Sequence, residues 1–242
     1  MVRRGASLLL LGSLAAPAHP LVLDGRIFLS GGISAALSHT VSVPIDVVKT
    51  RQQARPDKYD GPNGISGAAL AIVEEEGPGS LFLGAGPTLI GYFVQGSLKY
   101  GLYDAFKPVV AAALPVASPR LAVLVCAAVV AEAIASTALC PLEAARIRIV
   151  CDPSYSGRSA PAALAKMMRG DGGMKTAFAG LTPCLLKMCP YTAGQLATYE
   201  ASRAAVASAA PALATTLPVQ LACATLAAVV SSLLSQALLL LL

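Results

Sequence analysis

The sequence has 242 residues, of which 55% are hydrophobic and 13% are charged, and its mean hydropathy is +0.67. An ordinary soluble domain carries about 25% charged residues, so this composition excludes that class and indicates a membrane protein. The net charge of +5 is too small and too scattered along the chain to indicate nucleic-acid binding.

The cysteine and histidine pattern argues against a metal site. Six cysteines occur without a Cys-x-x-Cys pair, and only two histidines are present. The ligand spacing of a zinc site is therefore missing, and we predict neither a metal nor a cofactor. The sequence also contains no nucleophile–base pair and no phosphate-cradling loop, so it does not predict an enzyme.

The N-terminal 23 residues precede the predicted fold. Arg3 and Arg4 come before an apolar run, and no acidic residue occurs before Asp24. This pattern is typical of a secretory or organelle-targeting segment. We therefore treat residues 1–23 as a candidate targeting segment.

Five long apolar segments follow. Because about 20 helical residues span the hydrocarbon core of a bilayer, each segment predicts a transmembrane helix. The first four contain polar residues, as expected for helices that line a water-filled cavity. Two shorter amphipathic stretches, after residues 63 and 160, predict helices on the membrane surface. The apolar segments lie at about 24–50, 84–107, 119–147, 180–205 and 217–242.

The chain repeats itself at a period of 96 or 97 residues. Pro44 and Pro141 are 97 residues apart, and the sequence YDAFK at 103–107 is followed 96 residues later by YEASR at 199–203. Landmarks that match at one period predict tandem units of helix, surface helix and helix. The predicted units are repeat one at 24–112, repeat two at 117–208 and the first helix of a third repeat at 217–242.

The repeated motifs resemble those of a known family. The stretches PIDVVKTR at 44–51 and PLEAARIR at 141–148 both have the form Pro-x-[Asp/Glu]-x-x-[Lys/Arg]-x-[Lys/Arg]. Together with YDAFK and YEASR, they resemble the mitochondrial carrier family. The resemblance implies a multi-pass protein of the mitochondrial inner membrane, with three repeats around a central cavity. It implies an all-α helical bundle that has two full repeats and one further helix here, five of the family's six.

Within this family, some stretches are similar to the phosphate-transporting members. They include LSHTVSVPIDVVKTR and KMCPYTAGQLATYE. The resemblance implies transport of inorganic phosphate coupled to a proton, by alternating access. It also implies contact with membrane lipid, with cardiolipin as a candidate, a monomeric state and no nucleic-acid partner.

The resemblance further implies two charged networks that close the cavity in turn. Asp46 and Lys49 are three residues apart and share a helical face, so each can pair with a charge of the next repeat. We expect Asp46 to lie near Arg146, and we expect the two prolines at kinks. A solvated charge cluster is the alternative. The implied matrix gate contains Pro44, Asp46, Lys49, Arg51, Pro141, Glu143, Arg146 and Arg148. The implied cytoplasmic gate contains Tyr103, Asp104, Lys107, Tyr199, Glu200 and Arg203.

A phosphate site needs cationic or hydrogen-bond-donating groups. Gln95 and Lys99 are four residues apart and share one helical face, at the level where the family binds its substrates. The resemblance adds Lys187, Tyr191 and Gln195 to this set. Related phosphate carriers usually have lysine at the position of Gln195, so the predicted site has one positive charge fewer and another anion stays open as the substrate. The alternative for Lys99 is a snorkelling membrane lysine.

Proton coupling needs a titratable group inside the membrane. His39 titrates near neutral pH, and Glu132 is a lone carboxylate deep in the third segment. The alternatives are a hydrogen-bonded core histidine and a paired structural carboxylate. Many relatives have an acid at the position of Ser136, so a relay through that acid is not expected here.

The third repeat departs from the motif. Extending the register by 96 residues places Ala237 and Leu239 where a proline and an acid belong. Two repeats and one helix are not expected to close a carrier cavity, so we expect the 242-residue chain not to take up phosphate by itself. The alternatives are an incomplete gene product and a degenerate carrier fragment that does not transport.

Overall fold

A computed structural model of the chain describes residues 23–59, 63–115, 120–170 and 172–241, with side chains as far as Ala237. All regular secondary structure in these residues is helical, which confirms the all-α prediction. The candidate targeting segment lies outside the described residues except for Leu23.

Nine helices and two 3-10 turns make up the described fold. The helices are α1 (Gly25–Ala54), α2 (Pro56–Tyr59), α3 (Gly64–Glu76), α4 (Ala85–Ala113), α5 (Arg120–Cys151), α6 (Ala160–Arg169), α7 (Gly173–Ala177), α8 (Leu181–Ala209) and α9 (Leu217–Leu241). The 3-10 turns are Pro78–Phe82 and Pro153–Tyr155. The five long helices coincide with the five apolar segments. The first four run four to six residues past their predicted ends.

Four helical stretches are long and apolar enough to cross a membrane. They are Gly25–Ala54, Pro78–Ala113, Arg120–Cys151 and Leu217–Ala237. Helix α8 has 29 residues and therefore the required length. It lacks the hydropathy, because Lys187, Gln195 and Glu200 interrupt its apolar residues. The prediction of apolar spans is therefore confirmed for four of the five segments.

The surface helices α3 and α6 lie where the sequence predicted them. Each buries one face against the end of the long helix that precedes it in its repeat, and each cluster includes one buried tyrosine. The first cluster contains Val48, Tyr59, Ala68 and Ile72. The second contains Ala145, Ile149, Tyr155, Ala163, Met167 and Ala177. The two clusters use matching positions of the two predicted repeats.

The described residues form two compact units. The first unit contains Gly25–Tyr100 and Glu132–Cys189, and the second contains the described residues of Met1–Asp24, Gly101–Ala131 and Pro190–Leu242. Helices α4, α5 and α8 contribute residues to both units, and each unit is described below by itself.

Within the first unit, α1 approaches α4 closely at two glycines. A Cβ atom on Gly96 would lie 2.5 Å from the carbonyl oxygen of Gly31 and 2.5 Å from the Cβ of Ala35. Membrane helices are held together by such close contacts because lipid provides no hydrophobic driving force between them. The glycines therefore set the distance between the two helices that carry most of the predicted polar residues of repeat one.

Within the second unit, α8 lies against α9 in a similar way. A Cβ atom on Gly194 would lie 2.9 Å from Cδ1 of Leu234 and 3.4 Å from Cα of Ser231. Ser231 and Ser235 are buried on the same side of α9. Small residues on both helices therefore allow close packing here as well.

Candidate functional site

A buried polar cluster lies between α4 and α5 in the first unit. Glu132 is completely buried, and its Oε1 accepts hydrogen bonds from Nε2 of Gln95 at 2.9 Å and from Oγ of Ser136 at 2.6 Å. Its Oε2 lies 3.6 Å from Nζ of Lys99. Both helices contribute residues four positions apart, which stand on one face. The structure thus brings together three predicted site residues and one residue that the sequence did not suggest.

The cluster is costly to bury and is balanced by its own contacts. An isolated buried carboxylate loses several kcal/mol of hydration, about as much as a good partner can return. Here Lys99 compensates the charge, and Gln95 and Ser136 compensate the lost hydrogen bonds. No buried side-chain nitrogen or oxygen among the described residues lacks a partner. The cluster therefore has one cation and one anion, and an incoming anion would have to compete with Glu132 for Lys99.

His39 lies on α1 beside a tyrosine of α4. Its ring stacks on that of Tyr92, with centroids 3.6 Å apart and planes 10° apart. The imidazole is half-buried, and the charged groups that act on it are Asp46, Arg146 and Lys99. His39 is therefore electrostatically linked to the polar cluster on one side and to the predicted matrix gate on the other.

The contact predicted for the matrix gate is present. Oδ2 of Asp46 lies 3.1 Å from Nη2 of Arg146, and Oε1 of Glu143 lies 2.9 Å from Nη1 of the same guanidinium. The Arg146 side chain is buried, whereas both carboxylates are partly exposed. Ser42 also donates to Oδ2 of Asp46 at 3.4 Å. One arginine of repeat two therefore joins the signature acids of both repeats.

Arg51 has a different partner from the other gate residues. Its guanidinium donates to both oxygens of Glu76 on α3, at 2.6 and 2.8 Å, and its Nε donates to the carbonyl oxygen of Val150 at 3.2 Å. The hydrogen bonds from Arg51 hold the pKa of the Glu76 carboxyl below its usual range. Arg51 thus attaches the surface helix to α1 and to the end of α5.

The remaining predicted gate residues of this unit have separate surroundings. Lys49 is exposed and forms no ion pair with any described residue. The guanidinium of Arg148 lies over the ring of Tyr155, 5.5 Å from its centroid. Pro44 and Pro141 lie inside α1 and α5, which both continue through them. The kinks and the gating roles stay predictions.

The predicted cytoplasmic gate falls within the second unit and centres on Glu200. Tyr103 donates its hydroxyl to Glu200 at 2.8 Å, and Nζ of Lys107 lies 3.7 Å from the same carboxylate and 2.8 Å from Asp104. The exposed Arg120 also lies 3.8 Å from Glu200, a contact that the sequence did not suggest. Repeat one and repeat two are therefore joined by charges in this unit too.

The other predicted residues are more dispersed. In the second unit, Arg203 lies over the ring of Tyr199, 5.8 Å from its centroid, while Tyr191 and Gln195 are half-buried. In the first unit, Lys187 is exposed and acts electrostatically on Glu143. Within the described residues, no group of three His, Cys, Asp or Glu side chains could hold a metal ion.

Comparison with known proteins identifies related sequences. The family model "Mitochondrial carrier protein" matches residues 25–113 and 118–209. A Dictyostelium discoideum protein named "Mitochondrial substrate carrier family protein N" is 40% identical over 173 residues, which is 70% of this chain and 56% of that protein.

Two further relatives are similar over the same part of the chain. Human "Solute carrier family 25 member 3" is 36% identical over 73% of this chain and 49% of its own length. A Caenorhabditis elegans protein named "Phosphate carrier protein, mitochondrial" is 35% identical over 71% of this chain and 50% of its own length. The chain thus spans about half the length of the curated relatives that it matches.

Proposed function

Because this chain belongs to the mitochondrial carrier family, we propose that it carries inorganic phosphate, together with a proton, across the mitochondrial inner membrane by alternating access. The proposal depends on one observation. The buried ammonium group of Lys99 on α4 faces the carboxylate of Glu132 on α5. Relatives named as phosphate carriers support phosphate as the substrate. We propose a transporter and not an enzyme, with no cofactor.

The membrane location does not depend on the substrate. The protein is a multi-pass protein of the mitochondrial inner membrane, since its relatives are mitochondrial carriers and four of its helical stretches are long and apolar enough to span a bilayer. The proposal concerns what crosses that membrane and how.

Phosphate would bind through Lys99 and Gln95. A phosphate anion needs a cation and several hydrogen-bond donors, and charge-assisted bonds of this kind are the strongest that a protein offers. Lys99 supplies an ammonium group and Gln95 an amide, four residues apart on α4. We further propose that Lys187, Tyr191 and Gln195 contribute to the substrate path, with Lys187 attracting the anion.

The proton would meet phosphate at Glu132. While Glu132 is ionised, its carboxylate attracts Lys99 and competes with an anion for the ammonium group. A proton on Glu132 removes that competition, so proton binding favours phosphate binding and phosphate binding favours proton binding to the same extent. His39, which interacts electrostatically with Lys99, is the second titratable group in the proposed proton path.

Alternating access would require the two charged networks to form and break in turn. We propose that Asp46 and Arg146 close the matrix gate and that Lys107 and Glu200 close the cytoplasmic gate, with the other predicted gate residues supporting them. Ion pairs suit this task because their attraction is offset by the hydration that they lose, so they open at little net cost.

We also propose that the protein is a monomer in contact with anionic lipid. Arg158, Lys166 and Arg169 line an open groove on α6, and no acidic residue is among the described residues that line it. Basic grooves at a membrane surface attract anionic headgroups, and cardiolipin is such a lipid. Native mass spectrometry from a mild detergent would measure both the oligomeric state and the retained lipid.

The first test measures binding. The full chain in detergent is heated in phosphate, sulfate or chloride at equal ionic strength. Phosphate at ten times its Kd should stabilise the protein by about 1.4 kcal/mol. Lys99→Ala should abolish this effect, whereas Lys175→Ala, a change at an exposed lysine of α7, should retain it. Stabilisation by another anion instead of phosphate would favour the alternative substrate that Gln195 leaves open.

The second test measures transport. The chain is reconstituted into liposomes, and phosphate uptake is followed with and without an imposed pH gradient. Because the 242-residue chain is not expected to take up phosphate by itself, the same measurement is made on the chain with a third repeat grafted from a relative. The proposal expects uptake by the grafted protein that increases when the outside is acidic and that Lys99→Ala eliminates. Phosphate binding without any uptake by the grafted protein would favour the non-transporting alternative over the proposed carrier.

A further inference from the structure

A cavity of about 190 Å³ is lined by residues from the C-terminal ends of α1, α3 and α5. It shares no residue with the polar cluster around Glu132. A water molecule in the liquid occupies about 30 Å³, so the cavity has room for a ligand of roughly six non-hydrogen atoms. Concave sites with apolar walls and a few charged groups are where proteins usually bind small molecules.

Two arginines line the cavity, and they differ in their partners. Arg51 is buried and donates to both oxygens of Glu76, which also lines the cavity. Arg55 is exposed and forms no ion pair with any residue that the structure describes. A ligand could therefore bind Arg55 without first displacing a carboxylate of those residues.

The charges around the cavity favour an anion beside Arg55. The charged groups that act on the thiol of Cys151, which forms part of the wall, are Arg51 and Arg55. The second carboxylate of the lining, Asp152, accepts a hydrogen bond from the backbone N–H of Ser154 at 2.9 Å. It also interacts with two basic residues that do not line the cavity. The wall at Cys151 therefore has a positive potential.

Most of the remaining wall is apolar and selects among anions. It includes Ala54, Ile149, Val150 and Pro153, whose side chains offer no hydrogen-bond donor. Phosphate and sulfate have oxygens on all sides and need donors around them, whereas a carboxylate has its two oxygens at one end. Those two oxygens match the planar fork of a guanidinium, and an attached hydrocarbon chain is favourably buried against an apolar wall.

We propose that this cavity binds a short aliphatic carboxylate, with the carboxylate group paired to Arg55 and the hydrocarbon chain against Ile149 and Pro153. Butyrate has the size that the cavity accommodates. The inference does not depend on the proposed transport, because the two sites have no residue in common. A bound carboxylate would contact residues from the ends of three helices and would hold those ends together.

The thiol of Cys151 reports whether the cavity is occupied. The full chain in detergent is treated with N-ethylmaleimide, a neutral thiol reagent, and mass spectrometry follows the labelling of each cysteine. Butyrate at ten times its Kd should slow the labelling of Cys151 about tenfold. The labelling of Cys126, which is exposed on the same helix and does not line the cavity, should not change.

Matched ligands and variants separate charge from size. Butyramide has the shape of butyrate without its charge, and it should protect Cys151 much less. Arg55→Gln should abolish protection by butyrate, whereas Lys58→Gln, which removes a nearby positive charge outside the lining, should retain it. Lys99→Ala should also retain it. Each variant is compared with and without butyrate, because removing a cation also changes the reactivity of the thiol.

The possible results decide both the site and its ligand. Equal protection by butyramide would overturn the inference, because the site would not recognise charge. Protection by phosphate as strong as that by butyrate would overturn it too, because the apolar wall would not select the ligand. If butyrate does not protect Cys151, equilibrium dialysis with radiolabelled butyrate decides. Binding that Arg55→Gln removes would uphold the site, and the absence of such binding would overturn it.

Discussion

Arg146 on α5 lies 3.1 Å from Asp46 on α1, although the two residues are 100 positions apart in the chain. The same guanidinium lies 2.9 Å from Glu143, the signature acid of its own repeat. The buried guanidinium of Arg146 therefore forms ion pairs with two carboxylates. Asp46, from the other repeat, shares it with Glu143.

The Asp46–Arg146 pair should show strong coupling in a charge swap. Asp46→Arg places two buried cations together and Arg146→Asp places three acids together, so each single change should cost roughly 2–4 kcal/mol of stability. The double variant should recover at least half of either loss. Chemical denaturation in detergent measures the free energies of unfolding.

The control for this cycle is Glu75, which pairs with Lys58 at the surface. Exposed pairs contribute little because water and salt screen them, so Glu75→Lys should leave the unfolding curve nearly unchanged. The two residues do not interact energetically if the double variant of Asp46 and Arg146 is no more stable than the less stable of the two single variants.

Lys99 should stabilise the fold only while Glu132 is charged. Lys99→Ala leaves a buried carboxylate without its ammonium neighbour and should cost roughly 2–4 kcal/mol. Adding Glu132→Gln removes the carboxylate charge and should restore most of that stability, but not the response to phosphate. Thermal unfolding with and without phosphate measures both quantities. Equal stability of Lys99→Ala and the double variant would mean that the loss comes from packing and not from charge.

The contact between Arg51 and Glu76 should make stability depend on pH. The folded state holds the Glu76 pKa below its ordinary value of about 4.3. Its contribution is therefore complete above that ordinary value and is lost as the pH falls through the lower, folded-state pKa. Glu76→Gln should cost about 1 kcal/mol at pH 7, since the carboxylate is partly exposed.

The difference between the wild-type protein and Glu76→Gln should shrink steadily as the pH is lowered. Denaturation curves of both proteins over a range of pH values test this, with Glu74→Gln as the control at an adjacent exposed carboxylate. A gap that stays constant down to the most acidic pH at which both proteins fold would contradict the assigned ion pair.

The contact between α1 and α4 should be intolerant of a single methyl group. Gly96→Ala would force a Cβ to within 2.5 Å of the backbone of Gly31, so the helices must separate, at a cost of about 1–3 kcal/mol. Gly86→Ala on the same helix meets no atom within 4 Å and should be neutral or stabilising. Melting temperatures of both variants check this, and equal values would argue against close packing at Gly96.

Much of the fold could be predicted because long apolar segments and a repeat leave strong sequence signals. The short elements could not. Helices α2 and α7 and the turns at Pro78–Phe82 and Pro153–Tyr155 have between three and five residues, too few to show a hydrophobic period. Helix α8 was predicted as an apolar span on its length, whereas its polar residues keep it below the hydropathy of the others.

The site was predictable where repeat symmetry determines a contact. The pairing of Asp46 with Arg146 was expected from the resemblance to the carrier family, which implies that the acid of one repeat meets the base of the next. The partner of Arg51 was not expected, since three consecutive glutamates end α3 and only backbone geometry selects Glu76. Ser136 was interpreted from the sequence as a missing acid. Its role as a donor depends on a side-chain rotamer that spacing does not reveal.

Arg51 also links the C-terminal ends of α1, α3 and α5, which affects how these ends unfold. Its side chain holds Glu76 at the end of α3 and the Val150 carbonyl near the end of α5, while its backbone belongs to the last turn of α1. None of these ends can fray without releasing hydrogen bonds on the other two. Their amide hydrogens should therefore exchange with solvent as one cooperative group that spans both repeats, although the surface helix by itself has only 13 residues.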